Sequence, residues 1–391
     1  MSCISRTLLL ALIGASASTV LASAQAMSSQ TEVSNSTQAS SSPVAYVYVS
    51  SYVSNNNLEV NGYSAASNGS LTPIPGSPFP DSITALALNG AWLFGVEGGT
   101  STSSGQIIYS FAIASNGALS IHDQVNANDS DGWITYLYLD HTGSSLYAGY
   151  YTTNNDYLAY SIDQSTGQLT FVNDLTGGPS NDSPLSFVGN NQFAYSSSCY
   201  HFAASIYGVQ RASDGSLTYL NITPPYPAPP SGDFYCPWLA AADPTNHLAV
   251  ALQPFTNNWV SAGPYQLATY TVDSSGNLTT SSTYGNMPKV LVGTVYDYRM
   301  SPSGKFLAVG GSAGLQIFHF NGANPITHMT SLLTADAMYE VFWDNANHVY
   351  ALSESTGKLY VFSVTATGVK QAAGSPYSIP NAASLIVLPK T

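Results

Sequence analysis

The chain has 391 residues, with 8 Lys plus Arg against 21 Asp plus Glu and a formal net charge of −13. Only 7% of its residues are charged, against about 25% in an ordinary domain, and a surface so poor in cations excludes nucleic acid as a partner. The 44% hydrophobic share and 27 Tyr exclude global disorder, and the expectation is a Ser- and Gly-rich all-β protein outside the cytosol.

In chain order, the first 26 residues read as an export signal. Arg6 is a thin positive start, Thr7 to Leu21 is apolar, and Ala24-Gln25-Ala26 matches a cleavage site. The apolar run is too short to span a bilayer, which takes about 20 apolar residues. No Cys follows it, so no lipid anchor is expected. Residues 27–43 are rich in Ser and Thr and read as a linker. No later segment reads as a membrane span. The expected location is the periplasm or the outside of the cell.

Residues 44–391 repeat. A Gly-x-Leu-Thr/Ser turn recurs at Gly69, Gly117, Gly167, Gly215 and Gly276, with degenerate copies at Gly322 and Gly368, at spacings of 48, 50, 48, 61, 46 and 46 residues. Glycine suits a tight hairpin that needs a positive φ. Each unit holds four short strand-like runs, and one is very regular: Tyr46–Val49, Trp92–Gly95, Leu146–Gly149, Phe193–Ser196, Leu248–Ala251, Phe306–Val309 and Val349–Leu352. β-Branched and aromatic residues dominate, and no amphipathic helix is predicted. The repeat predicts a seven-bladed β-propeller of four-stranded blades. The segment from Ser384 to Leu388 is predicted to pair with Tyr46–Val49 and close the ring.

The strand Tyr46-Val47-Tyr48-Val49-Ser50, the hairpin Asn68-Gly69-Ser70-Leu71-Thr72 and the turn Ser301-Pro302-Ser303-Gly304-Lys305-Phe306-Leu307 resemble the lactonase-type seven-bladed propellers, the family of the propeller 6-phosphogluconolactonase. Pro75-Gly76-Ser77-Pro78-Phe79 and Gly374-Ser375-Pro376-Tyr377 resemble the tails of its secreted bacterial members. The resemblance implies a lactone hydrolase with an Arg, a His and a Glu in the fifth blade. At those positions stand Trp238, Leu239 and Pro254, so the groups that would hold a phosphorylated acid or move a proton are absent.

Loops between second and third strands, and between blades, share one face and carry the insertions, so that face is the expected binding face. Its aromatic residues, Tyr200, Phe234, Tyr235, Trp238, Phe255 and Trp259, with His201, are ligand-binding candidates for a sugar ring or a peptide segment. The alternative is that they pack the long loops onto the blades. Asp297 and Glu340 occupy one position in successive repeats, and Arg299 follows on the same side of its strand. These three are the catalytic candidates, the alternative being a contact between blades.

The His residues show no H-x-H or H-x-x-x-H pair, so no metal is expected. Asn128-Asp129-Ser130-Asp131-Gly132 lacks the later ligands of a calcium loop and reads as a solvated turn. No cofactor is expected, and the chain is expected to be a monomer. Cys199 and Cys236 fall on the long-loop face of adjacent blades, and export favours a disulfide between them; two buried thiols are the alternative. The leading reading is an exported propeller that binds a glycan or a protein segment without catalysis. A lactone hydrolase related to 6-phosphogluconolactonase and a purely structural envelope protein are the others.

Overall fold

The computed structural model describes residues 42–54, 57–97, 106–127, 133–151, 157–176, 184–199, 204–230 and 232–390. The export signal, nearly all of the linker, the turn at Asn128–Gly132, Tyr200 and His201 lie outside these residues. No helix occurs among the described residues, and none is long and apolar enough to cross a membrane.

Seven antiparallel sheets of four strands each form the blades of the propeller. The inner strands of blades two to seven are Ile83–Leu88, Trp133–Leu139, Ser186–Phe187, Asp233–Ala242, Val295–Met300 and Glu340–Trp343. Blade one takes its inner strand, Ala382–Pro389, from the far end of the chain. It pairs with Ala45–Ser54 in a register that sets Val47 against Val387 and Val49 against Leu385. Blade seven gains an additional short strand, Tyr377–Ser378, on its third strand.

Each second strand lies mid-sheet and is covered by a neighbouring blade on both sides. His348–Ser353 and Phe306–Gly311 are therefore buried at every residue, and such strands read as continuous apolar runs. Outer strands face water, and Leu119–Asn126 is exposed or half-exposed throughout.

The repeated glycine turns join third to fourth strands and latch the blades together. The Tyr48 hydroxyl donates to the Gly117 carbonyl of the next blade at 2.8 Å, and Ser110 to Gly167 at 2.9 Å. Tyr147 does the same to Gly215 at 2.9 Å and Tyr195 to Gly276 at 2.7 Å. Six of the seven repeat glycines have positive φ; Gly368 does not, and opens an ordinary strand, Gly368–Gln371.

At Gly117 two needs coincide. Its φ is +86°, and a Cβ there would meet Ile74 Cδ1 at 2.7 Å and Tyr46 Cδ1 at 2.8 Å. Tyr46 cannot withdraw, because it is buried and its hydroxyl donates to the Ser115 carbonyl at 2.6 Å. Gly117→Ala is therefore expected to cost about 3 kcal/mol, from backbone strain and overpacking together. Gly90 has φ +92° but open space around its Cα, so Gly90→Ala is expected to cost only the strain, about 1 kcal/mol. Denaturant unfolding of the two variants checks this; equal losses would show that packing against Tyr46 contributes nothing.

Candidate functional site

The inner strands can be aligned on one hydrogen bond, the first of the turn that follows each of them. In blades two to seven it runs from the N–H of Asn89, Asp140, Val188, Asp243, Ser301 and Asp344 to the carbonyl of the opposing strand. Two residues before it stand Ala87, Tyr138, Ser186, Ala241, Arg299 and Phe342. Four residues before it, blades six and seven place Asp297 and Glu340. The equivalence of those two carboxylates, read from the repeat, holds in the structure.

Both carboxylates bridge blades. Asp297 Oδ2 accepts the Val341 N–H of blade seven at 2.8 Å, and Oδ1 accepts its neighbour Tyr298 N–H at 2.8 Å. Glu340 Oε2 accepts the Leu385 N–H of the closing strand. A β-bulge between Val295 and Asp297 turns Asp297 toward blade seven. Each carboxylate thus ties its own inner strand to the next.

Arg299 is held but not saturated. Its Nε donates to Asp297 at 3.3 Å, and its guanidinium carbon lies 4.5 Å from the Phe342 ring centre. The two terminal amino groups have no acceptor among the described residues. The side chain is 35% exposed, so a solute can reach it. Burial works against its charge, but Asp297, Tyr138 and Glu340 outweigh burial and hold its pKa above the ordinary value.

Tyr138, at the matching position of blade three, belongs to the same electrostatic cluster. The charges of Arg299 and Asp297 act on its phenol, although burial is the main cause that pushes its pKa far up. The phenol therefore stays protonated. Its hydroxyl is enclosed and has no hydrogen-bond partner. The layer two residues above the turns thus presents the unused terminal N–H donors of Arg299, suited to one carbonyl oxygen, whereas the enclosed Tyr138 hydroxyl is out of a solute's reach. Tyr138 was not among the sequence candidates; aligning blade three with blade six at the turn would have found it.

The other Arg among the described residues, Arg211, is engaged elsewhere. It lies 3.4 Å from Asp140 and donates to Ser145 at 2.9 Å and Ser144 at 3.0 Å, at the turn after the inner strand of blade three.

The aromatic candidates of blade five divide. Tyr235 is buried rather than displayed, and its hydroxyl donates to Gln266 Oε1 at 2.7 Å. Trp238 is no free platform either: its indole N–H donates to the Val295 carbonyl of blade six at 2.9 Å, and its ring meets Tyr265 edge-on. Trp238 thereby ties its inner strand to blade six, whereas the Tyr235 bond stays within blade five. Phe234, Phe255 and Trp259 form one cluster, with Phe234 and Trp259 ring centres 4.8 Å apart and Phe234 and Phe255 6.0 Å apart. They crown the hairpin that Asp233–Ala242 and His247–Thr256 extend above the blade.

A disulfide joins Cys199, just past the second strand of blade four, to Cys236, in the inner strand of blade five. Among the described residues, no group of three or more His, Cys, Asp or Glu could hold a metal ion.

A closed ring of seven four-stranded blades defines the class as a seven-bladed β-propeller. Residues 94–253 match the family described as lactonase, 7-bladed beta-propeller. Those residues run from the second strand of blade two to the second strand of blade five. Among solved structures, a candidate 6-phosphogluconolactonase of Bacteroides uniformis is similar at 12% identity and a TM-score of 0.67, over 88% of this chain and 99% of that one. A periplasmic gluconolactonase of Pseudomonas aeruginosa is similar at 16% identity and a TM-score of 0.61, over 88% and 99% of the two chains. A candidate 6-phosphogluconolactonase of Bacteroides fragilis follows at 14% identity and a TM-score of 0.63, over 88% and 98%. No curated protein matches the sequence. The chain is thus similar to the lactonase-type propellers, in sequence over blades two to five and in fold over the whole ring.

Proposed function

We propose that this protein is an exported lactonase-type propeller that opens a neutral sugar lactone. The observation that carries this reading is the exposed Arg299 guanidinium, whose terminal amino groups have no acceptor among the described residues, beside two carboxylates. A lactone carbonyl gains from the donors, and the oxyanion formed when water attacks gains more. A free anion would meet Asp297 and Glu340 as well. Glu340 is the carboxylate assigned to take the proton from the attacking water. In this reading Glu340 moves that proton onto the ring oxygen as the acyl bond breaks, and the product is the open hydroxy acid.

A phosphorylated lactone fits poorly. Phosphate recognition needs a cluster of Arg or Lys, and Trp238, Leu239 and Pro254 stand where the family carries its charged groups. The location outside the cytosol is part of the proposal. It is supported by the apolar run at Thr7–Leu21, the Ala24-Gln25-Ala26 site and the Cys199–Cys236 disulfide. The similarity in fold to a periplasmic gluconolactonase agrees with both the compartment and the substrate class.

The test is proton release from glucono-δ-lactone and from 6-phosphogluconolactone, each corrected for spontaneous opening. Turnover of the neutral lactone is expected, with little of the phosphorylated one. Arg299→Ala is expected to lower kcat about 100-fold, the usual cost of one oxyanion donor, and Glu340→Gln to lower it similarly. Spontaneous rates with the neutral lactone, or variants as active as the parent, would defeat the proposal.

A further inference from the structure

Tyr296 and Tyr339 occupy one repeat position, just before Asp297 and Glu340 in blades six and seven. Their rings stack, with centres 4.8 Å apart and planes 12° apart. Both residues are half-buried. The same position in blade five is Trp238, whose ring is held edge-on to Tyr265 at 5.7 Å. In blade three it is Thr135, whose hydroxyl donates to the Gly149 carbonyl at 3.2 Å. Among the described residues, the aromatic side of the ring is thus that of blades five to seven, and it carries Arg299, Asp297 and Glu340.

The neighbours of each tyrosine fix where it projects. Val295 packs in the core shared with blade five, and Asp297 bonds to blade seven. Met338 packs in the core shared with blade six, and Glu340 bonds to the closing strand. The flanking residues therefore take the gaps on both sides of each blade. Tyr296 sits in the bulge between Val295 and Asp297, and a bulge re-aims the side chain it carries. Tyr296 and Tyr339 thus project from the inner edges of their sheets toward the axis of the ring, where residues of two blades can stack. Inner strands start on the long-loop face and end at the turns. The pair therefore lies nearer the long-loop mouth than Arg299, which follows Tyr296 roughly 10 Å farther along the strand. A solute coming from that face passes the stacked rings before it meets the Arg299 amino groups.

We infer that the Tyr296–Tyr339 pair is the platform on which the lactone ring lies, and that it selects ring lactones over open-chain esters. The inference rests on the hydrolase reading of the Arg299 layer. Conjugation flattens a six-membered lactone around its ester group, so the ring offers a broad C–H face to an aromatic ring, while its hydroxyls stay at the edge. The opened hydroxy acid loses that face. The platform therefore holds substrate better than product, which favours release after each turnover. Stacking acts on substrate and transition state alike, so it lowers KM and leaves kcat nearly unchanged.

The experiment uses the full protein with glucono-δ-lactone as substrate and the corresponding lactam, which keeps the ring and carbonyl but resists hydrolysis, as a calorimetric probe. Tyr296→Ala is expected to raise KM about tenfold, to change kcat by less than about twofold, and to weaken lactam binding by the same factor as KM. Tyr296→Phe keeps the ring and is expected to restore all three values. A lactam that does not bind the parent protein overturns the inference. So does a Tyr296→Ala variant with unchanged KM and lactam affinity, one that loses kcat instead, or a Tyr296→Phe variant that restores nothing. Normal turnover with no dependence on Tyr296 defeats the platform and spares the hydrolase reading. Lactam binding that depends on Tyr296, in a parent that opens no lactone, supports the platform and defeats the hydrolase reading.

Discussion

Deleting residues 382–391 is expected to destroy the monomeric, cooperatively folded protein. The lost strand, Ala382–Pro389, belongs to two cores at once because its side chains alternate. Leu385 and Val387 pack with Tyr350, Leu352 and Leu359 of blade seven. Ile386 and Leu388 pack with Ile83, Leu86 and Leu93 of blade two. Burying four such side chains stabilises by roughly 8 kcal/mol, a large share of the roughly 5–15 kcal/mol that a native fold has in total. The truncation also strips Glu340 of its Leu385 partner and bares the edge of Ala45–Ser54. An open apolar edge pairs with other chains. Light scattering after size exclusion should show oligomers or aggregate, and the thermal transition should broaden and fall. A monomer that melts with the parent would refute closure by this strand.

Replacing Cys199 and Cys236 together by Ala is expected to lower the melting temperature by about 5 °C. The bond closes a loop across a sequence separation of 37 residues, which the chain-entropy estimate values at about 4 kcal/mol. Spread over the unfolding entropy of a propeller of this size, that gives the stated shift. The effect should be reproduced by reducing the parent protein, and the double variant should no longer respond to reductant. The bond also ties the hairpin of blade five to blade four. An unchanged melting temperature with and without reductant would show that the link does not constrain the unfolded chain.

The legibility of this fold follows from where each strand sits. Second strands such as Val349–Leu352 lie between two sheets, so nearly every residue must be apolar or small, and the run stands out in sequence. The glycine turns stand out because positive φ and a close approach of the next blade admit no other residue at Gly117. Outer strands such as Leu119–Asn126 face water and carry little pattern. Gly368 shows the limit of the turn signal: the spacing is kept, but the backbone there is an ordinary strand.

The site was legible only in part. Repeat position matched Asp297 with Glu340 and placed Arg299 beside them, because spacing along a strand is a local property. What those groups bind is not local. Their partners, Val341, Leu385 and Tyr138, lie in other blades, and only closure of the ring decides which blades face one another. For the same reason ligand binding and loop packing both stayed open for Trp238 and Tyr235 until the structure showed Trp238 bonded to blade six and Tyr235 buried on Gln266. The sequence alone therefore determined the blade, its count and the strand that closes the ring, because burial period and turn chemistry are written residue by residue. The tertiary structure alone decided which polar groups remain without a partner, because that depends on how blades distant in the chain meet around the ring.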